Sequence, residues 1–450
     1  MAWFDSRTLF VSASLFCLPL LVVCAILCLP ILAFATVGLY LLAWTIYLLW
    51  AQTDAKFNLP YNPTRVIKIN IAFLGLITGW ISEIPLVITY FHWRYWVVRN
   101  YFHKFVSRNI AYSDAHPLCR LDVYKSKNSG QLSPIIVFIY GGSWSSGNKY
   151  MYTPLANTLR ELGYTVVVPD YRKYPLVKIE PIYDDVRRAI KWAFEHGREH
   201  GGDPNSIYVM GHSAGAQLAT YVVLKDVIAK AKYTKTGGLN VRENGSLAKH
   251  NPTDGVSATG IVMRHLASQK ANTDGLSYDF LPQIEGLLLM AGVYSIEKHL
   301  EHEKYRGVEK VSAMARVMGS TKHGYEANSP IDLVRANKEL FESAESIVDF
   351  LPRIMFIHGE KDAVVPMEQS VDMYNMLGQV LPPERRDDVD VSMRLYKRLN
   401  HAQCVTALMP SFIKTDRVHK SLIRDFTDFI GVSAAALPSS SSSAAELQSQ

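Results

Sequence analysis

The sequence has few cysteines and lacks the spacings by which proteins bind zinc. Only five cysteines occur in 450 residues, too few for a disulfide framework in a chain of this size. Three of them, Cys17, Cys24 and Cys28, lie in one apolar segment. No Cys-x-x-Cys pair and no His-Glu-x-x-His helix is present, so we expect no metal site.

A strong charge imbalance is also missing. Lys and Arg number 47 against 41 Asp and Glu, a net charge of +6. The excess is spread along the chain without a basic stripe carrying interleaved aromatic residues, so we expect no nucleic-acid partner. A hydrophobic share of 48% excludes an intrinsically disordered chain.

Charged residues are absent altogether from Thr8 to Trp50. One straight helix of this length would reach about 65 Å, roughly twice the hydrocarbon core of a bilayer. Pro30 lies near the middle, which predicts a hairpin of two transmembrane helices, about 8–28 and 31–50, turning near Leu29-Pro30. A signal peptide cleaved near Ala35 is the alternative, but the apolar run is longer than an ordinary signal sequence.

A third apolar segment covers residues 70–92. Glu83 and Pro85 lie near its centre, a pattern that suits either a third span or an interfacial segment. Residues 1–104 are therefore predicted to be a multi-pass membrane anchor in contact with lipid.

Residues 105–431 alternate between short apolar runs and amphipathic stretches. This alternation predicts an α/β fold, with a mostly parallel sheet flanked by helices. Residues 232–281 interrupt the pattern and are predicted to be a lid or a disordered insertion. The Ser- and Ala-rich tail, 432–450, is predicted to be disordered. The predicted strands are 135–140, 165–169, 206–210, 286–290, 353–358 and 391–396.

The motif Gly-His-Ser-Ala-Gly at residues 211–215 lies between a predicted strand and a predicted helix. That is the position of a nucleophile elbow, in which a sharp turn exposes a reactive serine. Ser213 is therefore the candidate nucleophile. The Ala214 N–H, at the start of the helix, is a candidate oxyanion donor.

A serine nucleophile needs a histidine base and a carboxylate that orients it. In this type of fold the chain order is serine, acid, histidine. Asp362 follows one late strand and His401 follows the next, so both are predicted at the edge of the sheet where Ser213 lies. Glu360 is the competing acid.

A glycine pair follows the strand at 135–140. The backbone N–H groups of Gly141 and Gly142 are the other candidate oxyanion donors; a tight turn with no catalytic role is the alternative. Trp144, just beyond them, and residues near Tyr294 are candidate walls of an apolar pocket.

These motifs resemble those of the α/β-hydrolase superfamily, in its lipase and esterase branch. Within that branch the motifs look like those of isoprenylcysteine methylesterases, which also have a hydrophobic N-terminal anchor. Tyr140 departs from their pattern, because many relatives have histidine there. The resemblance to this subgroup rests on residues 121–124, 140–144, 170–172, 211–215 and 292–294, with further matches at His299, His302-Glu303, Arg306-Gly307 and Ser329-Pro330.

The resemblance implies a membrane-anchored serine hydrolase of the endoplasmic reticulum or Golgi. Its substrate would be the methyl ester of prenylated cysteine, and it would need no cofactor. A general carboxylesterase or lipase, or an arylformamidase-like amidohydrolase, is the alternative. A catalytically inactive binding module is disfavoured, because such proteins usually lose a member of the triad.

Overall fold

The computed structural model describes residues 6–51, 55–99, 101–128, 130–235, 271–273, 276–278, 280–343, 345–383, 385, 389–409 and 417–431. The chain divides into two compact units. The first comprises Met1–Thr78 with Glu303–Ser312, and the second comprises Gly79–His302 with Ala313–Gln450. Residues 236–270 of the predicted insertion and the predicted tail 432–450 lie outside the described residues.

The first unit contains one long helix where the sequence predicted a hairpin. Helix α1 (Ser6–Trp50) continues through Pro30, and the chain turns only before α2 (Pro63–Ser82). The predicted turn at Leu29-Pro30 is therefore wrong. A proline removes one backbone hydrogen bond and bends a helix, but it does not have to end one where only apolar residues follow.

Helix α2 begins at a strong capping signal. The Asn62 side chain accepts hydrogen bonds from the backbone N–H groups of Thr64 and Arg65, at 2.9 and 3.3 Å, and Pro63 occupies the first turn. The Arg65 guanidinium donates to the Tyr47 hydroxyl at 2.9 Å and pairs with Glu309 at 2.6 Å. These contacts fasten α2 to the end of α1 within the first unit.

Two helical stretches, Val22–Trp50 and Pro63–Trp96, are long and apolar enough to cross a bilayer, by length and composition alone. The second includes the predicted third segment, 70–92. It is interrupted at Glu83, where α2 gives way to α3 (Ile84–His92).

The second unit is built on an eight-stranded sheet whose order is β1-β2-β4-β3-β5-β8-β9-β10. From β4 onward in this order all neighbouring strands are parallel, while β2 is antiparallel to both β1 and β4. The predicted mostly parallel sheet flanked by helices is confirmed. Its strands are β1 (Val106–Ala111), β2 (Arg120–Tyr124), β3 (Ser133–Ile139), β4 (Thr165–Pro169), β5 (Gly202–His212), β8 (Gly286–Met290), β9 (Arg353–Gly359) and β10 (Val391–Tyr396). A separate hairpin pairs β6 (Ala271–Thr273) with β7 (Leu276–Tyr278).

The helices of the second unit follow the apolar periodicity of the sequence. In α6 the stripe formed by Ile182, Val186, Ile190 and Ala193 is buried, as amphipathic spacing predicts. The described helices after α3 are α4 (Phe102–Phe105), α5 (Thr153–Glu161), α6 (Ile179–His196), α7 (Ala214–Lys235), α8 (Ile296–Arg306), α9 (Met314–Val317), α10 (Lys322–Ala327), α11 (Pro330–Ala336), α12 (Lys338–Ser343), α13 (Glu345–Phe350), α14 (Glu368–Val380), α15 (Gln403–Thr406) and α16 (Arg417–Ile430).

Candidate active site

Ser213 occupies a strained turn between β5 and α7. Its φ of 54° is in the left-handed region, which non-glycine residues adopt only under constraint. A Cβ at Gly211 would lie 2.6 Å from Ala216 Cα, and one at Gly215 would collide with the Ile139 carbonyl oxygen. Both glycines of the motif are therefore required by close backbone approach, which turns Ser213 out of the sheet.

Three side chains from the ends of three strands form one hydrogen-bonded chain. His401 Nε2 lies 2.9 Å from Ser213 Oγ, and His401 Nδ1 lies 2.7 Å from Asp362 Oδ2. Ser213 follows β5, Asp362 follows β9 and His401 follows β10. The parallel strands thus bring together residues that are distant in sequence, at the edge where ligands bind in open α/β sheets.

The Asp362 carboxylate is buried and fully engaged. Its Oδ1 accepts the backbone N–H groups of Val364 and Val365, at 2.8 and 2.9 Å, while Oδ2 faces His401. Burial by itself would raise the pKa of Asp362, but the charge of His401 and hydrogen bonds from His358 and His401 hold that pKa well below its usual range. The carboxylate is therefore ionised at neutral pH. Glu360, the competing acid, is exposed on the same loop.

His358 is a contact that sequence reasoning did not assign to the site. It is buried, and its Nε2 lies 3.3 Å from Asp362 Oδ2 and 3.0 Å from the Val365 carbonyl oxygen. Its Nδ1 lies 2.8 Å from Ser370 Oγ. The available signal was its position, because it is the second-last residue of β9 and lies four residues before Asp362.

The glycine pair lies directly against the candidate nucleophile. A Cβ at Gly141 would lie 2.9 Å from Ser213 Cβ, so the loop after β3 passes directly against the serine. The Gly142 carbonyl accepts the N–H groups of Ser145 and Ser146, at 3.1 and 2.9 Å, which fixes the turn. Ala214 is the first residue of α7, and N–H groups in the first turn of a helix have no partner within it.

Tyr140, the residue before the glycine pair, supports this loop. Its hydroxyl donates to Asp170 Oδ1 at 2.6 Å, and its carbonyl accepts the Tyr171 hydroxyl at 2.8 Å. The Tyr140 and Tyr171 rings stack with centroids 4.8 Å apart. Asp170 and Tyr171 therefore fix Tyr140, the residue that leads into the glycine pair.

Trp144 does not line an open pocket. It is 2% exposed, and its indole N–H donates to Gln217 Oε1 at 2.9 Å. Tyr294 is also completely buried. Trp144 therefore packs in the core, where Gln217 supplies the partner that a buried indole N–H takes, and it does not form the expected pocket wall.

Two family models match the segments that carry these residues. A model described as BD-FAE matches residues 121–254, which include Ser213. The prolyl oligopeptidase family model matches residues 290–433, which include Asp362 and His401.

Curated relatives include plant methylesterases. The chain is 26% identical over 324 residues to a probable isoprenylcysteine alpha-carbonyl methylesterase of Oryza sativa subsp. japonica, covering 71% of this chain and 66% of that protein. It is 27% identical over 270 residues to the Arabidopsis thaliana isoprenylcysteine alpha-carbonyl methylesterase, covering 60% and 52%. These matches span between about half and two thirds of the relatives' lengths.

A bacterial relative and a solved structure are esterases too. The probable carboxylic ester hydrolase LipM of Mycobacterium tuberculosis is 33% identical over 131 residues, 28% of this chain and 30% of that one. Esterase B from Lactobacillus rhamnosis superposes with a TM-score of 0.49 at 17% identity, covering 72% and 86%. The sheet of the second unit and its flanking helices fit the α/β-hydrolase fold. The chain is similar to isoprenylcysteine methylesterases and to a probable carboxylic ester hydrolase.

Proposed function

We propose that the chain is a serine ester hydrolase in which Ser213, His401 and Asp362 form the catalytic triad. The observation that carries this proposal is the hydrogen-bonded chain from Ser213 Oγ through His401 to Asp362 Oδ2. A base that contacts the nucleophile and is itself oriented by a carboxylate is the arrangement that acyl transfer requires.

Each group then has a defined part in the reaction. Ser213 Oγ attacks the ester carbonyl while His401 Nε2 accepts its proton, and Asp362 stabilises the imidazolium. The N–H groups of Gly141, Gly142 and Ala214 stabilise the oxyanion. His401 returns the proton to the departing alcohol, and then activates the water that hydrolyses the acyl-enzyme. No metal or cofactor takes part in these steps.

The methyl ester of prenylated cysteine is the substrate we favour. The plant relatives are named for that activity, and the uncharged run from Thr8 to Trp50 would place the enzyme beside a substrate whose prenyl chain partitions into lipid. A general carboxylesterase is the second candidate, supported by the similarity to the probable carboxylic ester hydrolase LipM.

A prenyl chain offers only apolar surface, so its length should govern the rate of a prenylcysteine methylesterase. Each buried methylene contributes about 0.8 kcal/mol, and part of that energy can align the ester with Ser213. We expect kcat/KM for S-farnesylcysteine methyl ester to exceed that for S-methylcysteine methyl ester by at least about 100-fold. Initial rates below the micelle threshold measure this ratio, with Ser213→Ala giving the background.

Two comparison substrates separate the candidates. Short-chain aryl esters and formylated aromatic amines should be hydrolysed more slowly than the farnesylated ester. Equal rates on farnesylated and S-methyl esters would contradict the prenyl substrate and leave a general ester hydrolase.

We also propose that residues 1–104 anchor residues 105–431, the catalytic domain, to a membrane of the endoplasmic reticulum or Golgi. Helix α1 exposes large apolar side chains, among them Ile31, Leu32 and Phe34, and such a surface needs lipid or protein to cover it. The full-length protein should stay in the membrane pellet after extraction with carbonate at high pH. Its release into the supernatant, or a mature N-terminus near Ala35, would contradict the anchor.

A further inference from the structure

His212, the residue before the nucleophile, contacts the loop that carries the proposed base. It is 7% exposed, and its Nε2 lies 3.0 Å from the backbone carbonyl oxygen of His401. The two imidazole centroids are 4.9 Å apart at an interplanar angle of 40°. Since a carbonyl oxygen only accepts hydrogen bonds, Nε2 must carry the proton.

The other edge of the His212 ring faces the oxyanion loop. A Cβ at Gly141 would lie 3.2 Å from His212 Nδ1, and Nδ1 has no hydrogen-bond partner in the described part of the chain. Burial, and then the charge of His401, lower the pKa of His212 to about 3, so the ring is neutral at any pH at which the enzyme would work. A neutral ring with its proton on Nε2 thus lies between the glycine loop and the His401 loop.

The His401 loop is also held by hydrogen bonds on either side of His401. The Leu399 carbonyl accepts the Lys361 N–H at 3.1 Å, which ties the loop to the segment that carries Asp362. The neighbours of His401 are fixed by local bonds, since the Asn400 N–H donates to Gln403 Oε1 at 3.1 Å and the Gln403 N–H donates to Asn400 Oδ1 at 2.9 Å.

Within the described residues, the hydrogen bond from His212 Nε2 to the His401 carbonyl oxygen ties the His401 main chain to β5, the strand that leads into Ser213. A displacement of about 1 Å in a reacting group can lower a rate about 100-fold. The rate is therefore sensitive to the distance between His401 Nε2 and Ser213 Oγ, which this bond helps to set.

We infer that His212 is a positioning residue, which holds the His401 main chain at the distance where Nε2 of His401 meets Ser213 Oγ. This inference rests on the proposed function, since it concerns the same triad. His212 itself touches neither substrate nor reacting atoms in this scheme. Its effect should therefore fall on kcat and leave KM nearly unchanged.

Three substitutions at position 212 separate hydrogen bonding from packing. His212→Leu introduces an apolar side chain of similar size and removes the hydrogen-bond donor to the His401 carbonyl. His212→Gln can place an amide N–H near the Nε2 position, whereas the shorter His212→Asn places it near Nδ1. On a short-chain aryl ester we expect kcat to fall roughly 10- to 100-fold for Leu and Asn, with KM within about 2-fold. Gln should restore kcat to within about 3-fold of the original.

Tyr208→Phe is the matched control. Tyr208 lies on the same strand, and its buried hydroxyl also bonds a backbone carbonyl, that of Ile430, at 3.2 Å. Its loss should lower the melting temperature without lowering kcat. The rate of fluorophosphonate labelling of Ser213 provides a second readout, and should follow the same order as kcat across the variants at position 212.

Equal kcat values for the Gln and Asn variants, or full activity in His212→Leu, would overturn the inference. If the Leu variant does not fold, the comparison of Gln with Asn still decides. Failure of the proposed function has a different signature, because Ser213→Ala would then retain activity whatever residue stands at position 212.

Discussion

Replacing Ser213 with alanine should lower kcat for ester hydrolysis by roughly 10⁴- to 10⁶-fold, because the change removes the only atom able to form the acyl-enzyme in this scheme. The fold should persist, since alanine keeps the Cβ and the backbone of the elbow. Steady-state hydrolysis of a short-chain aryl ester measures the loss, and thermal unfolding checks the fold.

Ser113→Ala is the control for this experiment. The Ser113 hydroxyl lies between β1 and β2, where it accepts the Ala115 N–H at 3.2 Å, and its loss should leave kcat unchanged. A Ser213→Ala protein that keeps more than about a hundredth of the original kcat would contradict the assignment of the nucleophile.

Replacing Asp362 with asparagine should lower kcat by roughly 10³- to 10⁴-fold. Asparagine has nearly the same shape and keeps an acceptor for the N–H groups of Val364 and Val365. It removes the negative charge that stabilises the protonated His401, and its amide favours the wrong tautomer of that histidine. The loss should therefore appear mainly in kcat, which the pre-steady-state acylation rate would confirm.

The matched variant for Asp362 is Glu360→Gln. Glu360 lies on the same loop and was the competing acid, but its side chain is exposed, while Asp362 Oδ2 contacts His401 at 2.7 Å. Glu360→Gln should keep full activity. If instead Glu360→Gln were inactive and Asp362→Asn active, the acid of the triad would be Glu360.

The sequence was sufficient to predict the residues that strand order brings together. Ser213, Asp362 and His401 each follow an apolar run that forms a parallel strand, and the ends of such strands meet at one edge. The glycines flanking Ser213 were equally informative, because a sharp turn excludes side chains there. Each of these patterns lies within a few consecutive residues. The parallel sheet then determines how the segments lie relative to one another.

Other features depended on partners that are distant in sequence. Trp144 can be buried because Gln217 accepts a hydrogen bond from its indole N–H. No sequence pattern near Trp144 indicates that partner. Strands β1 and β2 were not predicted, and their mutual pairing is irregular between Ser107 and Ile110. Pro30 was given too much weight as a helix breaker, because the long apolar run on both sides favours a continuous helix.

The most direct test of the account is to locate the covalent adduct formed with a fluorophosphonate. Such a reagent phosphonylates a serine that a neighbouring histidine activates, so it reports the nucleophile and its base together. We predict one adduct per chain, on the peptide that contains Ser213, absent from Ser213→Ala and formed at least about 100-fold more slowly in His401→Ala. An adduct on another residue, or an unlabelled protein that still hydrolyses esters, would contradict the account.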